Sequence, residues 1–321
     1  MRELYLSGFA DEAAYDLEGQ INAIKALGWK YLEARKINGR NIHDLNEPAF
    51  DKLCAVFEET GIKISCFCSN ICNWGTPVDS DLEATMTVVK RAIKRMQRLK
   101  VPLISIMSYA VIYDEKRRPK PDQKEAKRFE HLRKICDAFL EAGLTPVQDG
   151  YFSYGGLSWE HTLKLLDNVP GLKLVFDTSE PNLSLDYNKT FPYPSQNYME
   201  IWNNLKEHVV HIRIKDCSRD PITGRETCFY PGEGDHKLKA ILTDALSIGY
   251  SGFFAIEPHM VDDDTAKNNP GFRNKNFFEY GKLTEDLFRN ISCDVKDGTI
   301  YPKENSGLKA SKSGFRIFRR N

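Results

Sequence analysis

The chain has 321 residues, of which 41% are hydrophobic and 28% charged, an ordinary composition for a globular protein. Its 45 Lys and Arg residues balance 45 Asp and Glu residues, so no net positive charge would attract nucleic acid or an anionic membrane. The sequence contains no run of ~18 apolar residues that could cross a bilayer. Its N-terminal residues lead directly into a strand-like segment without the apolar core of a signal peptide, and we expect a cytoplasmic protein.

The eight cysteines are irregularly spaced, which is typical of reduced thiols in a cytosolic protein. Cys66, Cys68 and Cys72 are close enough in sequence to suggest a metal site. No second cluster matches them, and Cys66 and Cys68 lie in an apolar, strand-like segment. We therefore interpret these three residues as buried free thiols.

Eight short apolar segments have the composition of β-strands, and each is followed by a segment with helical spacing of apolar residues. The predicted strands are residues 4–9, 30–35, 63–69, 102–107, 144–149, 172–177, 209–216 and 252–257. The predicted helices are residues 17–27, 48–60, 80–99, 129–139, 159–166, 198–205, 238–246 and 276–288. Strict alternation predicts an α/β protein with a parallel sheet, and eight repeats predict closure into a (β/α)8 TIM barrel.

An open, doubly wound sheet is the alternative architecture. Such a sheet usually has a glycine-rich phosphate-binding turn after its first strand, and Gly8-Phe9-Ala10-Asp11-Glu12 does not have that composition. We therefore predict one barrel domain over residues 1–290. Residues 291–321 lie outside the repeating pattern and are rich in Lys, Arg, Ser and Gly, so we expect a basic extension that is mobile or loosely attached.

The seventh predicted strand carries an unusual set of charges. Because side chains alternate along a strand, His211, Arg213 and Lys215 should share one face. The opposite face should carry Val210, Ile212 and Ile214. Three neighbouring cationic groups are costly inside a protein unless anions face them. This strand therefore predicts carboxylates on neighbouring strands.

Polar residues occur at the C-terminal ends of most predicted strands, where TIM barrels place their active sites. The residues at these ends are Glu33, Arg35, Ser65, Ser69, Met107, Ser108, Tyr109, Gln148, Asp149, Asp177, Arg213, Lys215, Asp216, Glu257 and His259. The second, sixth and eighth strands each contribute a carboxylate to face the cations of the seventh. This pattern predicts a functional site at that end of the barrel.

Six segments in barrel order resemble the sugar phosphate isomerase/epimerase family, which belongs with the xylose-isomerase-like barrels. They are Gly8-Phe9-Ala10-Asp11-Glu12, Leu32-Glu33-Ala34-Arg35, Phe176-Asp177, His211-Ile212-Arg213-Ile214-Lys215-Asp216, Gly232-Glu233-Gly234-Asp235 and Ile256-Glu257-Pro258-His259. The resemblance covers roughly residues 4–288. It implies a xylose-isomerase-like TIM barrel that acts on a sugar-like substrate, with one divalent metal at the barrel mouth.

The resemblance implies four metal ligands, of which this sequence has two. Asp177 and Glu257 match the Asp and Glu expected on strands six and eight, whereas Gln148 replaces a Glu on strand five and Arg213 replaces a His on strand seven. A guanidinium has no lone pair to offer a metal. We therefore expect no metal cofactor and hypothesise that Arg213 takes the place of the metal by bridging Asp177 and Glu257.

A shift in the alignment gives the alternative. His211 would then be the strand-seven ligand, and Asp177, Glu257, His211 and Gln148 would bind a divalent ion such as Mn, Mg or Zn. His211 and Arg213 face the same way, so the sequence leaves both possibilities open.

Lys215 lies next to the cationic Arg213, so we expect a lowered pKa suited to proton transfer or a Schiff base. An ion pair with Glu257 or Asp177 is equally open. Glu33 and Arg35 are expected to pair with each other or to hold a substrate hydroxyl. The predicted substrate-binding residues are Gln148, Glu33, Arg35, His211, His259, Trp74 and Tyr109.

These residues predict an isomerase, epimerase or lyase for a small polyhydroxylated substrate. Glu257 or Asp177 would be the base, and Arg213 and Lys215 would stabilise an enediolate. The alternative is an inactive barrel that binds a carbohydrate or a partner. A DNA-repair relative on the same barrel would need several zinc ions and many His ligands, and seven His with no basic surplus disfavour it. The sequence leaves homo-oligomerisation open.

Overall fold

A computed structural model describes residues 4–150, 152–220, 223–234, 237–261 and 270–303. Its eight main strands are Leu4–Gly8 (β1), Tyr31–Ala34 (β2), Lys63–Cys68 (β3), Leu103–Ile106 (β4), Thr145–Gln148 (β5), Lys173–Asp177 (β6), Val209–Ile214 (β7) and Gly252–Ile256 (β8). The helices between them are Leu17–Leu27 (α1), Glu47–Thr60 (α2), Leu82–Leu99 (α3), Glu125–Glu141 (α4), Trp159–Asn168 (α5), Tyr198–Leu205 (α6), Leu238–Ser247 (α7) and Pro270–Asn290 (α8). All eight predicted strand–helix units are therefore present.

The strands form one curled parallel sheet. Hydrogen-bonded neighbours run from β2 through β3 to β8 and on to β1, and a parallel bridge between Phe9 and Glu33 joins β1 back to β2. The predicted (β/α)8 barrel is confirmed. The active-site end is thus the one at which β2, β5, β6, β7 and β8 finish.

Local signals in the sequence set the helix boundaries. Asp16 accepts a hydrogen bond from the Gly19 N–H at the start of α1, and Asn46 does the same for Ala49 at the start of α2. Gly28 ends α1 in the left-handed region, at φ 75°. These caps define both ends of α1 and the start of α2.

A β-hairpin follows the barrel, formed by Cys293–Lys296 (β9) and Thr299–Pro302 (β10). β10 is antiparallel to β1, with Thr299 opposite Tyr5, and the Leu6 N–H donates to the Gly298 carbonyl at 2.7 Å. The first part of the predicted extension therefore belongs to the sheet. The remainder, residues 304–321, lies outside the described residues, as does Asp235 of the family-like segments.

A bulge in β7 changes the predicted alternation. Leu174 pairs with Val209 and Val175 with His211, so Val210 is an extra residue between two register positions. Val210 packs with interior residues of the barrel, including Val175 and Phe253. The prediction that it faces away from the interior is therefore wrong, whereas Ile212 and Ile214 pack in the outer core as expected.

Two of the eight cysteines are not free thiols. Cys217 and Cys228 lie opposite each other in the antiparallel hairpin Cys217–Arg219 and Glu226–Cys228, and they form a disulfide. The expectation that all cysteines are reduced is thus wrong, because the hairpin brings Cys217 opposite Cys228, eleven positions along the chain. Cys66, Cys68 and Cys72 are buried and free, as interpreted from the sequence. No helix in the described ranges has the length and hydrophobicity needed to cross a membrane.

Candidate active site

The guanidinium of Arg213 forms the centre of a buried charge network inside the barrel. Its Nε and Nη2 atoms donate to Glu33 Oε1 at 3.1 and 2.8 Å, and Nη1 pairs with the Asp149 carboxylate. Nη2 also donates to Ser105 Oγ at 3.1 Å. Arg213 is 3% exposed and Glu33 1%. A guanidinium with this many partners stays charged and fixed.

The hypothesis that Arg213 bridges Asp177 and Glu257 is wrong. Arg213 is the register partner of Asp177, yet its side chain crosses the barrel toward β2 and the end of β5. The Asp177 Oδ1 atom instead accepts the backbone N–H groups of Ser179 and Glu180, at 2.8 and 3.2 Å. Residues that lie opposite each other on two neighbouring strands can still direct their side chains to different partners.

His211 lies deeper on the same face and contacts the other oxygen of Glu33. Its Nε2 atom is 2.7 Å from Glu33 Oε2. Burial alone would raise the pKa of Glu33, but the charges of Arg213 and His211 outweigh it and lower that pKa. Glu33 is therefore an ionised carboxylate that binds His211 and Arg213 of β7. It is not the expected partner of Arg35.

Arg35 pairs with three carboxylates at the mouth. Nε donates to Asp11 Oδ2 at 2.8 Å, Nη1 to Glu257 Oε1 at 2.8 Å, and Nη2 to Glu12 Oε1 at 3.2 Å. The predicted Glu33–Arg35 pair does not form, because Glu33 points into the barrel while Arg35 reaches the loops after β1 and β8. Arg35 and Arg213 lie over the Phe9 ring, with their Cζ atoms 4.5 and 5.0 Å from its centroid.

His259 joins the same two loops from the solvent side. Its Nε2 atom is 3.0 Å from Glu257 Oε1 and 3.1 Å from Glu12 Oε1. Burial alone would lower the pKa of His259, but Glu257 and Glu12 raise it to about 9. A cavity of about 350 Å³ beside it is lined by residues that include Arg35, His259, Arg273 and Asn276. His259 is thus a charged residue at the mouth.

Lys215 interacts electrostatically with the carboxylates of Glu257 and Asp177. Its Nζ atom is 3.9 Å from Asp177 Oδ2. Burial alone would lower the pKa of Lys215, but the charges of Glu257 and Asp177 outweigh it and raise that pKa. The expectation of a lowered pKa is wrong, because Arg213 is already neutralised by its own carboxylates and Lys215 faces two others.

The pKa values of the two carboxylates near Lys215 are shifted in opposite directions. Burial raises the pKa of Asp177; Lys215 opposes this rise and Glu257 adds to it. Burial would also raise the pKa of Glu257, but Lys215, His259 and Arg35 hold it well below its usual range. Asp177 is consequently better suited than Glu257 to carrying a proton near neutral pH.

Gln148 faces away from the mouth. Its Nε2 atom donates to Ser108 Oγ at 3.1 Å and to the Asp149 carbonyl at 2.8 Å, beneath the loop after β5. Side chains alternate along β5, and Val147 lies inside the barrel, so Asp149 and not Gln148 points to the centre. The sequence-based placement of Gln148 is therefore wrong by one residue.

Tyr109 and Trp74 do not belong to the charge network. Tyr109 is 1% exposed, and its hydroxyl is 3.5 Å from His131 Nδ1 on α4, away from the mouth. The substrate-binding role predicted for Tyr109 does not fit this position. Trp74 is 58% exposed in the loop after β3, and its substrate-binding role stays a prediction.

Sequence reasoning placed Asp149 at the end of the fifth strand but assigned no catalytic, binding or metal role to Asp11, Glu12, Asp149 or Glu180. Asp11 and Glu12 belong to a family-like segment, and inward alternation from Val147 would have identified Asp149. No sequence signal marks Glu180, which comes after β6 in a short helix, Glu180–Leu183.

Comparison with known proteins decides the family. A family model described as a xylose isomerase-like TIM barrel matches residues 21–274. The chain belongs to the xylose isomerase-like TIM barrel family. The resemblance found in the sequence is confirmed. A search of curated proteins found no match to this chain.

Solved structures share the fold of this xylose isomerase-like barrel at low sequence identity. D-allulose 3-epimerase from Methylomonas sp., in complex with D-allulose, has a TM-score of 0.63 and 15% identity over 90% of this chain and 98% of its own. A xylose isomerase-like protein from Mycobacterium smegmatis, in complex with magnesium, has a TM-score of 0.61 and 14% identity over 89% and 98%. IOLI protein with a binding zinc atom has a TM-score of 0.65 and 15% identity over 88% and 97%.

A divalent metal does not fit the corresponding position in this xylose isomerase-like barrel. Asp149, which takes the inward place instead of Gln148, is already paired with Arg213, and Arg213 contributes a cation where a ligand is needed. Two other groups, Glu33–Cys66–His211 and Glu12–Glu257–His259, each bring three ligand atoms within 4.8 Å of one another. Each group already contacts a guanidinium through a carboxylate, from Arg213 and Arg35 respectively, so a dication there would meet a fixed positive charge.

Proposed function

We propose that this barrel is an isomerase or epimerase of a sugar or sugar derivative, and that protein cations supply the electrostatic stabilisation expected of a metal. The observation that supports it most directly is the buried Arg213 guanidinium between Glu33 and Asp149. Arg213 lies where the family resemblance expects a metal ligand, two residues before Lys215 and opposite Asp177 in register. The alternative is an inactive barrel that binds a carbohydrate, and the experiment below distinguishes it from the isomerase or epimerase.

The reaction begins at a carbon next to a carbonyl. Asp177 removes its proton, the C–H electron pair becomes the C=C bond of an enediolate, and Lys215 stabilises the negative oxygen. The raised pKa of Asp177 suits it to accept this proton, and the raised pKa of Lys215 keeps its positive charge. Return of the proton to the neighbouring carbon isomerises the sugar, and return to the opposite face of the same carbon epimerises it.

Other residues at the mouth position Asp177 and Lys215. Glu257 is ionised and linked to Arg35 and His259, so it fixes Lys215 rather than carrying protons. Arg213, at 3% exposure, acts through Asp149 and Glu33 instead of touching the substrate. The small polyhydroxylated substrate would enter beside His259, where the cavity of about 350 Å³ is large enough for a small ligand.

The test is exchange of the substrate proton with solvent. Purified protein treated with a chelator is incubated in D2O with a panel of aldoses and ketoses, and deuterium at the carbon next to the carbonyl is followed by NMR. Exchange that persists without metal and disappears in Asp177→Asn supports the proposal; the control Asp167→Asn changes an exposed residue of α5. Exchange only with added Mn²⁺ or Mg²⁺ would overturn the metal-free mechanism, and sugar binding without exchange would support the inactive barrel.

A further inference from the structure

A third carboxyl group lies beside Asp149 and Asp177 at the rim of the mouth. Glu180 follows Asp177 by three residues, and its backbone N–H donates to Asp177 Oδ1 at 3.2 Å. Asp177 and Glu180 also line one cavity of about 40 Å³ behind the loop after β5, which is room for a few water molecules. Glu180 is therefore linked by its backbone to the proposed proton carrier and lines a small cavity together with it.

Two glycines make room for this carboxyl group. A Cβ at Gly150 would lie 2.6 Å from Glu180 Oε1, and a Cβ at Gly156 would lie 3.0 Å from it. Real Cβ atoms do not approach other atoms so closely, so a side chain at Gly150 would displace the carboxyl of Glu180. The loop after β5 thus leaves the space that the carboxyl group of Glu180 occupies.

The environment of Glu180 favours the protonated form of its carboxyl group. Asp149 pairs with Arg213, and Asp177 Oδ2 is 3.9 Å from Lys215 Nζ. Among the residues that the structure describes, no Lys or Arg forms a salt bridge with Glu180. Burial and then the charges of Asp149 and Asp177 raise the pKa of Glu180 well above its ordinary range, and Arg213 and Lys215 only partly oppose this.

We infer that Glu180 is the acid that works with Asp177, donating its carboxyl proton to the oxygen of an aldose or ketose substrate. This inference rests on the proposed function. After Asp177 has taken the proton from carbon and Lys215 has stabilised the enediolate oxygen, the proton of Glu180 moves to that oxygen, which gives an enediol and a Glu180 carboxylate. When the carbonyl reforms on the neighbouring carbon, a proton from the hydroxyl group there returns to Glu180.

The test separates abstraction of the carbon proton from formation of product. Glu180→Gln should lower the rate of product formation by about 100-fold, the effect typical of a lost general acid, while deuterium exchange at carbon falls much less. Gly150→Ala, which keeps the carboxyl but displaces it, should lower product formation in the same direction. The control Glu200→Gln changes an exposed carboxylate on α6 and should leave both rates unchanged.

Infrared difference spectroscopy of the unliganded proteins gives a readout that does not depend on turnover. Wild type minus Glu180→Gln at pH 7 should show the C=O stretch of a protonated carboxyl group, shifted in D2O. Absence of that band, or full product formation by Glu180→Gln, would overturn the role of Glu180. Absence of exchange in wild type with every sugar would instead overturn the proposed function, while the infrared band would still report the protonation of Glu180.

Discussion

Arg213 donates to a single oxygen of Glu33 from both Nε and Nη2, at 3.1 and 2.8 Å, although the two residues are 180 positions apart in sequence. This pair joins β7 to the end of β2 across the barrel interior. His211 binds the second oxygen of the same carboxylate. The pair thus fixes the central charges of the mouth to opposite walls of the barrel.

Removing one partner of this pair should strongly destabilise the protein. Arg213→Met leaves Glu33 and Asp149 buried without their cation, and loss of one member of a buried pair costs about 3–5 kcal/mol in free energy of unfolding. Urea unfolding measures it, and Arg118→Met, in an exposed pair with Asp114, is the control that should change little. Equal stability of Arg213→Met and wild type would contradict a structural role for the pair.

His259 should make stability depend on pH above neutrality. Its pKa is raised from 6.5 to about 9, so its contribution is fully present below pH 6.5 and is lost as the pH rises through about 9. Relative to His259→Gln, wild type should lose on the order of 1 kcal/mol across this range, a value reduced by solvent screening of a side chain that is 39% exposed. Thermal unfolding from pH 6 to 10 tests it, and parallel curves for the two proteins would refute it.

Lys215 should act as a permanent cation and not as a Schiff-base nucleophile. Lys215→Met should lower the rate of deuterium exchange at carbon by about 10²–10³-fold, the loss typical of one electrostatic stabiliser, and Lys215→Arg should recover part of it. Lys134→Met, on the exposed face of α4, is the matched control. Borohydride treatment during turnover should leave the protein mass unchanged, and a sugar adduct on Lys215 would contradict the raised pKa.

The disulfide predicts the number of reactive thiols. Unreduced protein in denaturant should react with six equivalents of a thiol reagent, and reduced protein with eight. The bond closes the hairpin after β7, whose Cys217 N–H donates to Ser179 Oγ at 2.7 Å beside the site. Cys217→Ala/Cys228→Ala should lower the free energy of unfolding by up to about 3 kcal/mol. Eight reactive thiols without reduction would disprove the bond.

Gly298 should tolerate a methyl group poorly. Its φ is 71°, and a Cβ would lie 3.1 Å from two atoms of the Trp29 ring. Gly61 has φ 70° but open space around its Cβ position, so both Ala variants share the backbone strain and only Gly298→Ala adds a clash. Gly298→Ala should therefore lose more unfolding free energy than Gly61→Ala in urea titrations. Equal losses would mean that the β9–β10 hairpin does not pack tightly on the barrel.

Much of the site could be located from the sequence because it depends on regular periodicities. The inward positions of Glu33, Asp177, Arg213, Lys215 and Glu257 follow from strand alternation and from the ends of predicted strands. The errors at Gln148 and Val210 arise where that periodicity is locally broken or misjudged by one residue. A bulge such as the one at Val210 leaves no mark in the hydrophobic pattern.

The sequence alone determined the order of the eight strand–helix units and the family, since both depend on local patterns along the chain. The tertiary structure decided which anion faces which cation. Arg213 turned out to pair with Glu33 and Asp149, Arg35 with Glu257, and Lys215 with Asp177. Several carboxylates and cations converge within a few ångströms of the barrel axis, so their pairing depends on side-chain direction and distance, which strand order does not contain.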